Sequence, residues 1–196
     1  ADECLLDRAR PQIEAAVKAE PSVESYNMLS AIDRQRGDAR RALDSLDRVI
    51  ALARKSGDVA AEAEALLASF EIHRDKGDTG DAKTSLDSAL ARALKARDYA
   101  RTLPEQARAE RVLARVLEHF GASQQAKRAT DRAYEASRAD SRQFTATVLD
   151  ASRRALKQND LQAARQAVRQ AMDAALPDED MVYVALWLRL VEQRLG

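Results

Sequence analysis

Apolar positions along this chain recur in steps of three and four, and long β-branched runs are absent, so the pattern is helical throughout. In "NDLQAARQAVRQAMDAAL", residues 159–176, Ala164, Val168 and Ala171 stand five, nine and twelve positions after Asn159, with arginine and glutamine between them. Those offsets fall on one helical stripe. The stripe holds alanine where a helix core commonly holds leucine. Small side chains there let a second helix axis come close, because Cβ is their only bulk.

The same spacing recurs in "RGDARRALDSLDRVIALA", "KGDTGDAKTSLDSALARAL" and "FGASQQAKRATDRAYEAS". Counted from Gly37, Gly77, Gly121 and Asn159, the fifth residue is Ala42, Ala82, Ala126 and Ala164. The ninth is Leu46, Leu86, Thr130 and Val168, and the twelfth is Val49, Ala89, Ala133 and Ala171. The intervals between turns are 40, 44 and 38 residues. Glycine or asparagine at the turn suits a left-handed residue ending the preceding helix. Each unit therefore reads as helix, tight turn, helix. The helix before each turn has a weaker pattern, clean only in "RVLARVLEHFG", with Tyr26 as a bulky filler in the first unit.

A chain of repeated helical hairpins with this alanine spacing resembles the tetratricopeptide repeat (TPR) superfamily, in its longer, roughly 40-residue bacterial form. The resemblance implies an all-α, right-handed α-solenoid of antiparallel helix pairs forming one array over 1–196. Its divisions are a half-repeat at 1–21, repeats at 22–57, 58–97, 98–139 and 140–177, and a terminal half-repeat or capping helix at 178–196. Ala9, Ile13, Ala16 and Pro21 echo the second-helix signature near the start, where Pro11 is expected in the first turn of its helix. Asp178 after Pro177 is an expected N-cap. The last helix, with Met181, Val184, Leu186, Trp187, Leu188 and Val191, is apolar around most of its circumference. A terminal solenoid helix is expected to be polar outside, so the chain reads either as excised from a longer array or as self-associating around Trp187.

Composition narrows the function. Of 196 residues 45% are hydrophobic but only 4% aromatic, so the core is built from Ala, Leu and Val. The 32 basic and 32 acidic residues cancel, which argues against a nucleic-acid or membrane surface. No apolar run reaches a bilayer-spanning length, and the charged opening residues form no signal peptide. The single cysteine, Cys4, excludes an internal disulfide and favours a cytoplasmic over a periplasmic setting.

Candidate chemistry is sparse. His73 falls four before a turn, at a packing position, and His119 two before, and no His-x-x-x-His pair or cysteine cluster is present for zinc. No nucleophile, metal or cofactor site is expected, and the chain does not read as an enzyme. The resemblance implies that the first helix of each unit lines a concave groove. The groove candidates on that stripe are Asn27, Arg34, Arg74, Arg108, Arg111, Arg115, Leu149, Arg153, Leu156 and Lys157. Guanidinium groups pair bidentately with carboxylates, so an acidic peptide or a free C-terminus is the expected guest, over an apolar floor of Leu149 and Leu156. The Lys–Asn–Lys clamp of chaperone-binding members is absent. The function read here is a protein–protein interaction scaffold; the alternative is a ligand- or peptide-responsive sensor module of a larger signalling protein. A nucleic-acid binder needs stacking aromatics, which the stripe lacks.

Overall fold

A computed structural model describes residues 3–172 and 178–195. These residues form ten α-helices and no strand: α1 (Glu3–Ala19), α2 (Val23–Gln35), α3 (Ala39–Ser56), α4 (Val59–Lys76), α5 (Thr79–Tyr99), α6 (Leu103–His119), α7 (Ser123–Ser137), α8 (Ser141–Lys157), α9 (Leu161–Met172) and α10 (Asp178–Leu195). The chain divides into two compact units, Ala1–Asp98 and Tyr99–Gly196. In the first, α2 packs on α3 and α3 on α4; in the second, α6 packs on α7, α8 on α9 and α9 on α10.

The four turn residues have the left-handed backbone their position demands, with φ of 78° at Gly37, 82° at Gly77, 72° at Gly121 and 59° at Asn159. Glycine adopts this conformation without a Cβ penalty, and asparagine tolerates it better than most side chains. The hydrogen bonds are the same each time. The Asp38 N–H donates to the Asp33 carbonyl at 2.8 Å, and Gly37 to Arg34 at 3.0 Å. Asp78 to His73, Ala122 to Leu117 and Asp160 to Ala155 repeat the first of these bonds. This pair of hydrogen bonds satisfies carbonyls that a helix end leaves open.

A fifth turn of the same kind, at Gly57 (φ 76°), joins α3 to α4. The residue after the left-handed position then starts the next helix. Asp38, Asp58 and Asp160 accept the backbone N–H of Arg41, Ala61 and Ala163 at 3.1, 2.9 and 2.9 Å. A Gly–Asp or Asn–Asp pair thus stops one helix and caps another, and such a cap contributes about 1 kcal/mol.

Two first helices begin on capping boxes, Ser22 with Ser25 and Thr102 with Glu105. The Glu105 carboxylate accepts the N–H groups of Arg101 at 2.8 Å and Thr102 at 3.1 Å. These bonds hold its carboxyl below the ordinary glutamate range. A depressed folded-state value stabilises the fold above the unfolded pKa, and that contribution fades as pH falls through the depressed value. Glu105→Gln is therefore expected to flatten the acid limb of a melting-temperature-against-pH profile and to leave its alkaline limb unchanged.

The close-approach alanines are buried without exception, with exposures of 0% for Ala42, 6% for Ala82, 2% for Ala126 and 0% for Ala164. Around Ala42 the first unit's cluster is Leu46, Val49, Ala65 and Ile72. Around Ala164 the second unit's is Val148, Ala155, Val168, Ala171, Val184 and Val191. Antiparallel hairpins bring residues equidistant from their turn to one level, and two buried carboxylates use this. Glu62, fifteen before Gly77, meets Arg92, fifteen after it, at 3.2 Å. Glu110 and Arg132, eleven either side of Gly121, meet at 2.6 Å.

Helix α1 departs from expectation. It begins at Glu3, so Pro11 lies inside it and not in its first turn. Proline there cannot donate to the Asp7 carbonyl. That stretch is nonetheless held to α2 by ion pairs, Arg10 with Asp33 at 2.7 Å and Arg36 with Asp7.

Candidate functional site

In the first unit, α2 and α4 lie side by side, and their facing residues carry the groove candidates Asn27, Arg34 and Arg74. Arg34 spans the two helices. Its Nη1 donates to Glu71 Oε2 at 2.6 Å and its Nη2 to Asp75 Oδ2 at 3.1 Å. Arg74 reaches the same Asp75 at 3.0 Å, with its guanidinium 5.5 Å from the Phe70 ring. Hydrogen bonding to Arg74, aided by Arg34, outweighs burial and holds the Asp75 carboxyl below its usual range. Beside these pairs is an open hollow of about 540 Å³. Leu46, Ala68 and Ile72 supply its apolar lining, and Asn27, Ser30 and Gln35 its polar one. The exposed pairs each contribute at most about 1 kcal/mol, so a competing guest can displace them.

The corresponding face of the second unit joins α6 to α8. Arg111, half-buried, donates to Gln143 Oε1 at 2.6 Å and stands 3.8 Å from Asp150. Arg153 lies 3.7 Å from the same carboxylate, and its guanidinium sits 5.2 Å from the centre of the Trp187 ring on α10. The indole N–H donates to Ser152 Oγ at 2.9 Å. Glu118 pairs with Arg154 at 2.9 Å, yet burial outweighs that partner and raises its carboxyl above the ordinary range. Arg154 also donates to the Thr130 hydroxyl. Arg108 and Arg115 are half-buried on α6, and Lys157 is exposed at the end of α8.

Leu149 is buried, and Leu156 packs against the cluster of Val148, Ala155 and Val168. The candidates thus gather as Asn27, Arg34 and Arg74 in one unit and the other seven in the second. The sequence pattern did not reveal their partners Gln143 and Asp150, nor the Arg153–Trp187 contact. The one local signal was Asp150 three residues before Arg153, a spacing that places both on one helix face.

His73 is half-buried, its Nδ1 3.7 Å from Asp78 Oδ2. Among the described residues no group of three histidine, cysteine or acidic side chains is placed to hold a metal ion, and no helix is long and apolar enough to cross a membrane. The Cys4 side chain, Pro177 and Gly196 lie outside the described residues, while Asp178 opens α10.

No protein-family model matches the chain, and no curated protein does. Among solved structures it is similar to the crystal structure of MamA, at 19% identity over 84% of this chain and 87% of that one, with a TM-score of 0.39.

Proposed function

We propose that the chain is a non-catalytic protein-interaction scaffold of the tetratricopeptide type, a right-handed α-solenoid whose first helices α2, α4, α6 and α8 receive a peptide segment or a partner protein. One observation carries this reading. In each unit two successive first helices lie side by side, bridged by Arg34 in one and Arg111 in the other, so that each unit has a face of charged and amide side chains. The hollow beside Arg34 adds an apolar lining large enough for a guest side chain. Apolar burial gives such a contact its affinity and the surrounding polar groups give it orientation. The cationic balance of the α6–α8 face favours acidic guests.

The test is a capture experiment comparing the unaltered chain with two variants. Arg111→Glu with Arg115→Glu reverses charge on the α6 face, and Ala31→Trp fills the hollow. Each variant is expected to lose at least about tenfold in affinity for any protein the parent retains, the typical effect of losing an interface anchor. Retention of the same proteins with unchanged affinity by both variants defeats the scaffold reading.

A further inference from the structure

The first unit's hollow is built along one line of α2. Asn27, Ala31 and Gln35 stand four residues apart on that helix and line the same opening, an amide at either end and a methyl group between them. We infer that the hollow takes one uncharged apolar side chain from an extended segment of a partner protein, and that Asn27 and Gln35 hydrogen-bond the segment's main chain on either side of it. The inference rests on the scaffold reading and names the guest of one part of it.

The floor sets the side chain. Leu46 of α3 and Ile72 of α4 close the bottom, and Ala68, with only a methyl group, leaves the α4 side open. Arg34 is the charged residue in the lining, and Glu71 and Asp75 already engage it. A guest carboxylate or ammonium pressed onto Leu46 and Ile72 gives up its water and must then break those pairs or go without a partner. An apolar side chain gains by leaving water and disturbs neither pair.

The rim sets the main chain. Ser30 is 5% exposed, yet its hydroxyl stands in the wall of the hollow with no hydrogen-bond partner among the described residues. The side-chain amides of Asn27 and Gln35 have none either. An amide side chain donates and accepts as a peptide group does, so each can bond a guest's N–H or C=O. At about 1.5 Å of rise per residue the two amides are about 12 Å apart along α2. An extended chain, advancing about 3.3 Å per residue, covers that distance in about four residues. A guest lying along α2 with its apolar side chain over Ala31 therefore brings to the amides the main-chain groups about two residues away on each side.

The experiment follows the methyl signals of Leu46, Ala68 and Ile72 by NMR while the full chain is titrated. The probes are a blocked serine–glycine–leucine–glycine–serine pentapeptide, the same pentapeptide with glycine, glutamate or lysine at its centre, and N-acetyl-leucinamide. The leucine pentapeptide is expected to shift all three signals, to leave that of Ala164 in the second unit unmoved, and to bind at least about tenfold more tightly than the other three pentapeptides, the least that burying a leucine side chain gives. Added salt leaves its affinity unchanged, since no ion pair forms. Ala31→Trp, at an exposed position of α2, is expected to abolish the shifts. Asn27→Ala with Gln35→Ala is expected to weaken the leucine pentapeptide about tenfold, the effect of two ordinary hydrogen bonds. The same variant keeps its affinity for N-acetyl-leucinamide, which is too short to reach both amides.

Equal affinity for the leucine and glycine pentapeptides, or shifts that survive Ala31→Trp, overturn the hollow as the site. A charged centre that binds as tightly as leucine overturns the apolar guest, and an undiminished pentapeptide in the double alanine variant overturns the main-chain bonds. If no probe binds while Arg111→Glu with Arg115→Glu still loses captured protein, the inference falls and the scaffold reading stands. If that variant and Ala31→Trp also lose nothing in capture, both fall.

Discussion

Replacing Ala42 or Ala164 by leucine is expected to destabilise the unit that contains it by about 1–3 kcal/mol, the range for overpacking a filled core. Both side chains are fully buried, Ala42 among Leu46, Val49, Ala65 and Ile72, and Ala164 among Val148, Ala155, Val168 and Val184. Three added carbons have nowhere to go unless the helices of the hairpin separate. That separation loosens the contacts at Leu46 and Val49, or at Val168 and Ala171, which share the stripe. Ala51→Leu on the exposed side of α3 is the control, expected to fall within about 0.5 kcal/mol of the parent because it touches no core. Denaturant unfolding measures all three. If Ala42→Leu and Ala51→Leu unfold alike, the alanine does not mark a close helix approach.

That stripe was legible because it is one-sided. Helices α3 and α9 bury Ala42, Leu46 and Val49, or Ala164, Val168 and Ala171, while their exposed positions are mostly charged or amide residues, so the spacing stands out. The four left-handed turns were legible for a related reason, since few residues besides glycine and asparagine accept that backbone. Helix α4 shows why first helices read poorly. It buries Ala61, Glu62, Ala63, Ala65, Leu67, Ser69, Phe70 and Ile72, a set that runs around the helix instead of along one face. Sandwiched between α3, the edge of α2 and Arg92 of α5, it has no single apolar side for a pattern to mark. The turn at Gly57 escaped the alignment because it joins one helix pair to the next, yet its Gly–Asp pair stands twenty residues from each of two others. The chemistry of helix ending does not distinguish turns within helix pairs from turns between them.

The candidate site was legible in its arginines and not in their partners. Arg34 and Glu71 are 37 residues apart, and Arg111 and Gln143 are 32 apart. Helical spacing brings out neighbours within one helix, three or four residues apart, whereas these pairs depend on how far one first helix is offset along the next. Trp187 posed the same difficulty. Its sequence surroundings mark it as apolar, but its packing beside Ser152 and under Arg153 arises from where α10 meets α8.

Removing the arginine from the Glu110–Arg132 pair is expected to cost far more than removing the glutamate. Arg132 grips the carboxylate with two parallel bonds, Nε to Oε1 at 2.6 Å and Nη2 to Oε2 at 2.8 Å, and this hydrogen bonding raises the guanidinium pKa further. The two ends differ in exposure, with the Glu110 side chain at 7% and that of Arg132 at 51%. Arg132→Ala strands a charge inside the α6–α7 hairpin, and breaking such a pair costs about 3–5 kcal/mol when both partners are buried. Water can enter where the arginine stood, so about 3 kcal/mol is the expected loss, the lower end of that range. Glu110→Leu removes the charge that needs a partner and leaves an arginine that water can solvate, so its cost is expected to stay below about 1 kcal/mol. Glu110→Leu with Arg132→Ala should lie near the single glutamate variant, a strong non-additivity in a double-mutant cycle. Arg54→Ala is the matched comparison: Glu62 is equally enclosed but retains Arg92 at 3.2 Å after Arg54 is lost, and the loss is expected to be smaller. Equal destabilisation by Arg132→Ala and Glu110→Leu in urea unfolding at neutral pH contradicts this account, for it means the buried end of the pair is not the costly one.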